Sequence, residues 1–350
     1  MRVWLDVLTP KQVLFFAPVV EALRKRGCEV LATSRKYREV EPVARMQGLD
    51  LKYVGERGGK DPVDQLLAAT KRQAEIIPIV KRFRPDVALS VASAVCARVS
   101  FGLRVKHIAV NDSPHSQVAG RLSLPLTHHL LCPWVVPYEA WSQYGLTRSM
   151  ITRYRALDPA AWLKRRAKEG PFPDLDPARR TITVRLEESY APYMAGTDKT
   201  ISDAVLLGIA EAFPNQNLVA LCRYGDQLGR VKARFGTRYV VPEEVVDGRA
   251  LLARTDVFVG MGGTMTAESA LMGVPTVSMF QGSLYTEKYL ESVGLLAKAS
   301  KPEQLVRQVK RLLDERQRRE ISTKAAKVLD SMDDPVPIVA RQIIKAAKQG

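Results

Sequence analysis

The stretch Val257-Phe258-Val259-Gly260-Met261-Gly262-Gly263-Thr264-Met265-Thr266-Ala267-Glu268 constrains the fold more than any other part of the chain. An apolar run bounded by glycines reads as a short buried strand, and the residues after the Gly-Gly pair read as a helix with a glutamate in its first turns. Gly273-Val274-Pro275 then leads into another strand at Thr276. Glycines at a strand-to-helix junction let a ligand approach the backbone closely, and a helix N-terminus presents N–H groups to an anion. A diphosphate suits such a turn, and Glu268 suits the hydroxyls of a ribose or a similar diol. A plain tight connection in an α/β domain has the same spacing.

The alternation extends along the chain. Residues 3–7 read as a strand, 13–26 as a helix closed by Gly27, and 29–33 as the next strand. Helices over 37–47 and 62–83, a strand over 85–90, a helix over 92–101 and a strand over 105–110 follow. Residues 156–177 break the rhythm with Asp158-Pro159, Gly170-Pro171, Pro173 and Asp176-Pro177, a composition of linker character. Strands recur at 181–185, 217–222, 237–240, 256–260 and 276–279, with helices at 198–213, 226–235, 248–254 and 265–272. Further helices are expected at 303–313, 318–329 and 337–348. The expected fold is α/β, with two Rossmann-like, doubly wound domains at 1–155 and 179–335. A linker at 156–178 joins them, and a C-terminal helix over 336–350 is expected to pack back on the first domain. At 350 residues the chain is long enough for two cores.

Charge narrows the partners. The chain carries +16, from 53 Lys and Arg against 37 Asp and Glu, which suits nucleic acid, anionic lipid or an anionic small substrate. The basic residues are spread over helices, as in Arg24-Lys25-Arg26 and Arg316-Gln317-Arg318-Arg319. No zinc finger, RNP-like aromatic motif or KH-type loop accompanies them, so nucleic acid is not favoured. No apolar run reaches the roughly 20 residues that span a bilayer, and the N-terminus reads as a strand, so a cytoplasmic protein is expected. The apolar segments 122–126 and 134–137 suit peripheral contact with a membrane that presents a lipid-linked or other anionic acceptor; core packing explains them equally well. Cys28, Cys96, Cys132 and Cys222 show no metal-ligand spacing, and neither metal nor cofactor is expected.

The run from Ala253 to Met279 resembles the donor-binding segment of glycosyltransferase-B proteins. Cell-wall N-acetylglucosamine transferases and UDP-N-acetylglucosamine 2-epimerases carry a similar strand, (Ser/Gly)-Gly turn, helix and Gly-x-Pro unit. Further matching segments are Thr9-Pro10-Lys11-Gln12, Asn111-Asp112-Ser113-Pro114-His115, Val184-Arg185-Leu186-Glu187-Glu188 and Gly262-Gly263-Thr264-Met265. With them, the chain is similar to a largely uncharacterised, mostly archaeal domain-of-unknown-function family of glycosyltransferase-B-like proteins, from Met1 to about Lys298. The resemblance implies two Rossmann-like domains facing a deep interdomain cleft, with a nucleotide-sugar, UDP-linked, held by the C-terminal half. It implies that Gly262, Gly263 and Thr264 meet the donor diphosphate, with Met265 beside them, and that Glu268 meets the ribose. Arg185, with Glu187 beside it, sits where epimerases carry a His-Arg-x-x-Asn-like motif, and Arg223 offers a second phosphate ligand. An internal Arg–Glu pair is the competing role for Arg185. The epimerase histidine falls on Val184, and the epimerase Gly-Asp pair falls near 90–93. Groups for proton transfer at C2 are therefore missing, and a transferase ranks above an epimerase. A nucleotide-sugar-binding protein without catalysis is the third reading.

An inverting transferase needs a base for the acceptor hydroxyl and positive charge for the departing diphosphate. Asp112 and His115 follow a strand and are the base candidates, with a turn-capping role competing for Asp112. Thr9, Lys11 and Gln12 open the first helix on the acceptor side, where related transferases have a Gly-rich turn. Asp6 lies within a strand where a simple core would be apolar, and reads as an anchor for the 9–12 loop. Glu287 and Lys288 follow a strand in a region that faces the sugar in this fold, and equally suit a solvated helix start. Arginine and helix N-termini take the place of a cation, so metal-independent transfer is expected.

Overall fold

The computed structural model describes residues 1–59, 61–167, 173–187 and 200–348. The chain forms two compact units, Met1–Arg165 together with the segment from Met332 onward, and Arg166–Ser331.

The first unit alternates strictly. Its elements are β1 (Arg2–Val7), α1 (Pro10–Arg24), β2 (Glu29–Lys36), α2 (Val40–Gln47), β3 (Lys52–Glu56), α3 (Pro62–Phe83), β4 (Val87–Ser90) and α4 (Ala94–Gly102). They continue with β5 (Lys106–Val110), α5 (Gln117–Ser123), β6 (His129–Pro133), α6 (Glu139–Ser142), β7 (Ile151–Tyr154) and α7 (Ala160–Leu163). The strands form one parallel sheet in the order β3-β2-β1-β4-β5-β6-β7. Strands covered on both faces need apolar side chains throughout, and Val3, Trp4, Leu5 and Val7 of the central β1 are all buried.

Asp6 interrupts that run and is fully buried. It does not hold the 9–12 loop as its position suggested. Arg72 reaches in from α3 and donates from Nη1 to Oδ2 at 3.1 Å and from Nη2 to Oδ1 at 2.6 Å. Ser93 Oγ donates to Oδ2 at 2.7 Å and Thr33 Oγ1 to Oδ1 at 2.8 Å. With all its acceptor sites used, Asp6 stays ionised: burial pushes its carboxyl up, and the Arg72 charge and these hydrogen bonds bring it below the usual value.

The second unit holds β8 (Thr181–Arg185), α8 (Thr200–Ala212), β9 (Asn217–Leu221), α9 (Gly225–Phe235), α10 (Gly248–Ala253), β10 (Val257–Gly260) and α11 (Thr264–Leu271). After these come β11 (Thr276–Ser278), α12 (Tyr285–Ser292), β12 (Leu296–Lys298), α13 (Pro302–Leu312) and α14 (Glu315–Asp330). Its parallel sheet has the order β12-β11-β10-β8-β9. The last helix, α15 (Pro335–Lys348), packs on α1, α7, β4 and β5 of the first unit. Val336, Val339, Ala340 and Ile343 form its buried stripe at helical spacing.

Several expectations need correction. Ala156, Leu157, Ala160 and Ala161 are fully buried in the first unit, so residues 156–163 are core and not linker; Pro159 sits at the N-cap of α7. The strand expected at 237–240 reduces to a single bridge between Val240 and Val219, because Gly236–Arg238 turns as a 3-10 helix after α9. β3, β6, β7 and β12 are strands beyond those expected from the sequence. The apolar segments 122–126 and 134–137 are partly core, since Leu124 and Val136 are fully buried. The expected helix start at 198 and residues 188–190 lie outside the described residues. Among the described residues no helix is long and apolar enough to cross a membrane.

Arg72→Leu leaves the Asp6 carboxylate buried without its cation, a change that costs about 3–5 kcal/mol in comparable pairs. Urea unfolding at pH 7 is expected to show a loss of that size; a loss below about 1 kcal/mol would contradict the role given to the pair.

Candidate functional site

In the second unit, Arg185 at the end of β8 pairs with Leu221 of β9 on one side and Gly260 of β10 on the other. The chain leaving these three adjacent strands therefore brings Arg185, Glu187, Arg223 and the Gly262-Gly263 turn to one carboxyl edge. Gly262 and Gly263 have φ of +91° and +89°, values that side chains with a Cβ rarely adopt. A Cβ on Gly262 would lie 3.0 Å from the Phe280 ring, whereas one on Gly263 would meet nothing within 4 Å. The Gly263 backbone thus faces open space at the N-terminus of α11, where the first N–H groups have no intrahelical acceptor.

The neighbouring side chains divide into anchors and ligand candidates. Glu187 is buried, its carboxylate accepts from Ser202 Oγ, and its carbonyl accepts from Gln227 Nε2 at 2.9 Å. Gln227 Oε1 in turn accepts the Arg223 N–H at 2.9 Å. The pair ties the β8 and β9 loops together, leaving Arg185 and Arg223 half-buried beside the turn. Thr264 is half-buried at the first position of α11, and Glu268 is buried in that helix. Met265 is half-buried and packs against the clusters that hold Leu251, Leu252 and Phe258. Glu287 is not solvated: it accepts from Ser278 Oγ at 3.0 Å and Lys298 Nζ at 2.5 Å, while Lys288 is exposed. Asp174-Leu175-Asp176 has Asp-x-Asp spacing but lies before β8, away from this edge. Asp176 there accepts from Ala178 N–H at 2.9 Å and pairs with Arg179 at 3.0 Å.

The first unit gathers a different chemistry at its own carboxyl edge. Lys11 Nζ lies 2.5 Å from Asp112 Oδ2 and 2.8 Å from Asp158 Oδ2. Ser113 Oγ donates to Asp112 Oδ1 at 2.7 Å, and Tyr154 Oη donates to Asp158 Oδ1 at 2.6 Å. One lysine thus serves two carboxylates. Burial pushes the Asp112 carboxyl up, but Lys11 and Ser113 outweigh it and hold it below the usual value. For Asp158, burial and the neighbouring Asp112 charge exceed the help from Lys11 and leave it raised. The lysine itself is raised: burial lowers it, and the two carboxylates more than offset that. The shared lysine thus sets the two acids apart, Asp112 held low and Asp158 raised.

The turn at Asp112 is capped by its neighbour. Asn111 Oδ1 accepts the Ser113 N–H at 2.9 Å, so Asn111 makes the turn and Asp112 is left to Lys11. Tyr144 Oη donates to the Pro114 carbonyl at 2.6 Å and steadies the loop. Gly120 permits that contact, since a Cβ there would sit 2.6 Å from the Tyr144 ring. His115 is half-buried, and its imidazole is lowered by burial despite the Asp112 charge, so it is neutral at pH 7. Gln12 is buried, and its Oε1 accepts the Leu8 N–H at 2.6 Å, which fastens the turn into α1. Thr9 is the half-buried N-cap residue of α1, without a capping hydrogen bond from its side chain.

Asp158 and Tyr154 were missed by sequence reasoning. A carboxylate between Ala156-Leu157 and Ala160-Ala161-Trp162 was the available signal, hidden by the linker-like prolines around it. A depression lined by Arg2, Glu29, Lys52 and Arg82 lies at the amino-terminal ends of β1, β2 and β3, the edge that carries none of these groups.

The chain belongs to the family described as "Protein of unknown function (DUF354)", which it matches over residues 1–348. An uncharacterised protein of Methanocaldococcus jannaschii is 25% identical over 298 residues, 83% of this chain and 85% of that protein. Among solved structures, UDP-GlcNAc 2-epimerase from Neisseria meningitidis bound to UDP-GlcNAc matches with a TM-score of 0.76 at 13% identity, over 100% of both chains. The Methanocaldococcus jannaschii UDP-GlcNAc 2-epimerase in complex with UDP-GlcNAc and UDP matches at 0.71 and 13%, again over 100% of both chains. Glycosyltransferase VinC in complex with dTDP matches at 0.64 and 16%, over 100% of both. The fold is therefore glycosyltransferase-B-like, built from two Rossmann-like units.

Lys11→Met removes the cation from two buried carboxylates and is expected to destabilise by about 3–5 kcal/mol at pH 7. Asp112, held low, contributes stability above the unfolded value of about 3.9 and loses it as pH falls through its folded value; Lys11, held high, contributes below about 10.4 and loses it as pH rises through its folded value. In the variant both acids are raised, so protonation relieves them and the deficit shrinks between pH 7 and pH 4.5. Urea unfolding at the two pH values checks this, and an equal deficit at both would contradict it.

Proposed function

We propose that this protein is a glycosyltransferase that takes a nucleotide-diphosphate sugar, UDP-linked, and transfers the sugar to an acceptor hydroxyl. The observation that carries the reading is the turn at Gly263: a positive-φ backbone facing open space at a helix N-terminus, on the same strand edge as Arg185 and Arg223. N–H groups and guanidinium forks placed this way suit a diphosphate, whose charge grows as it leaves the anomeric carbon. Glu268 is assigned to the ribose hydroxyls. The solved proteins of this fold with UDP-GlcNAc, UDP or dTDP bound support the donor class.

The acceptor chemistry is assigned to the first unit. Ionised Asp112, the more exposed of the two acids at 15% against 3% for Asp158, takes the acceptor proton as the hydroxyl oxygen bonds to the anomeric carbon and the bond to the diphosphate breaks. Neutral His115 is the second candidate for that proton. Lys11 holds Asp112 ionised before the step, and Asp158 with Tyr154 keeps Lys11 in place. The fixed charges supply the diphosphate's stabilisation from the protein itself. The charge of +16 suits an acceptor that is anionic or is presented at an anionic lipid surface.

A 2-epimerase is the second reading, favoured by the higher TM-scores of the two epimerases, 0.76 and 0.71 against 0.64 for the transferase. Against it, the epimerase histidine corresponds to Val184, which is fully buried in the core. Ser90 is occupied by His107 Nε2 at 2.8 Å, and Ser93 by Asp6 at 2.7 Å.

Thermal unfolding with UDP, dTDP and GDP tests the donor site, since a ligand at 100 times its Kd adds about 2.7 kcal/mol. Arg185→Gln and Glu268→Gln are expected to lose most of the shift that UDP gives the wild type; undiminished shifts would place the donor elsewhere. Asp112→Asn is expected to keep UDP binding and to lower transfer or donor hydrolysis by about 10²–10⁴-fold. Conversion of UDP-GlcNAc to its C2 epimer would establish the second reading, and UDP binding without turnover a purely binding role.

A further inference from the structure

A group of arginines stands at the carboxyl ends of β2 and β3 in the first sheet. Arg35 lies near the end of β2, where the pairing with β3 shifts register between Ser34 and Lys36. Arg57 follows β3, its N–H bonded to the Lys36 carbonyl at 3.3 Å and its guanidinium 4.8 Å from the centre of the Tyr37 ring. Arg72 is already committed, to Asp6 by two hydrogen bonds and to the Val54 carbonyl by a third at 2.9 Å. The Nε of Arg35 is buried and has no hydrogen-bond partner among the described residues.

The local charges do not balance. Asp6 is the carboxylate that acts on Arg35, and its acceptor sites are filled by Arg72, Ser93 and Thr33. Burial, then the Arg57 and Arg72 charges, push the Arg35 guanidinium down to about 10, so it remains a cation at neutral pH. A buried charged donor left without an acceptor is more costly than a neutral one. A fold retains such a group most simply when an anion completes it, and an arginine fork matches the oxygens of phosphate or carboxylate.

We propose that Arg35 and Arg57 form an oxyanion subsite at the carboxyl ends of β2 and β3. On the transferase reading above, on which only this last assignment rests, the oxyanion belongs to the acceptor. β2 and β5 are three strand spacings apart in the order β2-β1-β4-β5. At about 4.8 Å per spacing, the subsite stands roughly 14 Å from the Asp112 loop. The acceptor is then an extended molecule whose phosphate or carboxylate lies about that far from its reacting hydroxyl.

The test uses inorganic phosphate and citrate as probes on the full chain, read by thermal unfolding and by calorimetric titration. Phosphate is expected to raise the melting temperature of the wild type, of Arg185→Gln and of the exposed control Arg104→Gln. Arg35→Met, which keeps the buried stem, is expected to bind phosphate at least tenfold more weakly while its UDP shift stays at the wild-type value. Arg35→Lys retains charge without the fork and is expected to fall between them, and it serves if the methionine variant does not fold. A response to citrate in place of phosphate assigns the subsite to carboxylates. An unchanged phosphate affinity in both Arg35 variants, or no response to either anion in the wild type, would overturn the subsite. A phosphate response lost in Arg35→Met but accompanied by no UDP binding would keep the subsite and remove the transferase reading instead.

Discussion

Two strands paired in parallel cannot be joined by a hairpin, so each connection must cross back over the sheet before the next strand begins. Every strand pairing among the described residues is parallel. The carboxyl ends of the strands in each sheet therefore open on one edge, and the loops that leave them are free to carry chemistry. In the second unit that edge collects the Gly262-Gly263 turn with Arg185 and Arg223. In the first it collects Lys11, Asp112 and Asp158, with Arg35 and Arg57 farther along. The same arrangement buries the strands on both faces, which makes any polar residue inside one of them expensive.

Two ion-pair clusters in the first unit show how differently a buried charge can be balanced. Asp6 has one guanidinium and two hydroxyls for four hydrogen bonds, is fully buried, and ties β1 to β2, α3 and α4. Nothing there is left to titrate or to bind. Lys11 instead divides its charge between two carboxylates and is 19% exposed. The imbalance separates the two acids, holding Asp112 low and leaving Asp158 raised, with Asp112 the more exposed of the two. The difference lies in the ratio of charges and in exposure, not in residue type.

Much of this was legible in the sequence, and the reasons are local. Gly262 and Gly263 announce positive φ because other residues rarely adopt it, and the strand before them is apolar enough to fix its place. Arg185, Arg223, Lys11 and Asp112 stand out in the sequence because each ends or follows a strand that can be read directly. Asp158 was not, because its prolines resemble a linker while its burial depends on packing that only the folded chain supplies. Strands such as His129–Pro133 and Leu296–Lys298 are short or polar at their ends, and pairing rather than composition makes them strands. The Arg35 imbalance was equally invisible, since Asp6 and Arg72 are 66 residues apart and their pairing decides what remains for Arg35.

On the proposed function, a nucleoside diphosphate binds across the ends of β8, β9 and β10. Hydrogen–deuterium exchange of the full chain with and without UDP tests it most directly, because it reports where protection arises without any substitution. Slower exchange is expected in peptides covering 260–268, with weaker protection at 185–187 and 222–227. Protection confined to other segments, or no protection at saturating UDP, would contradict it.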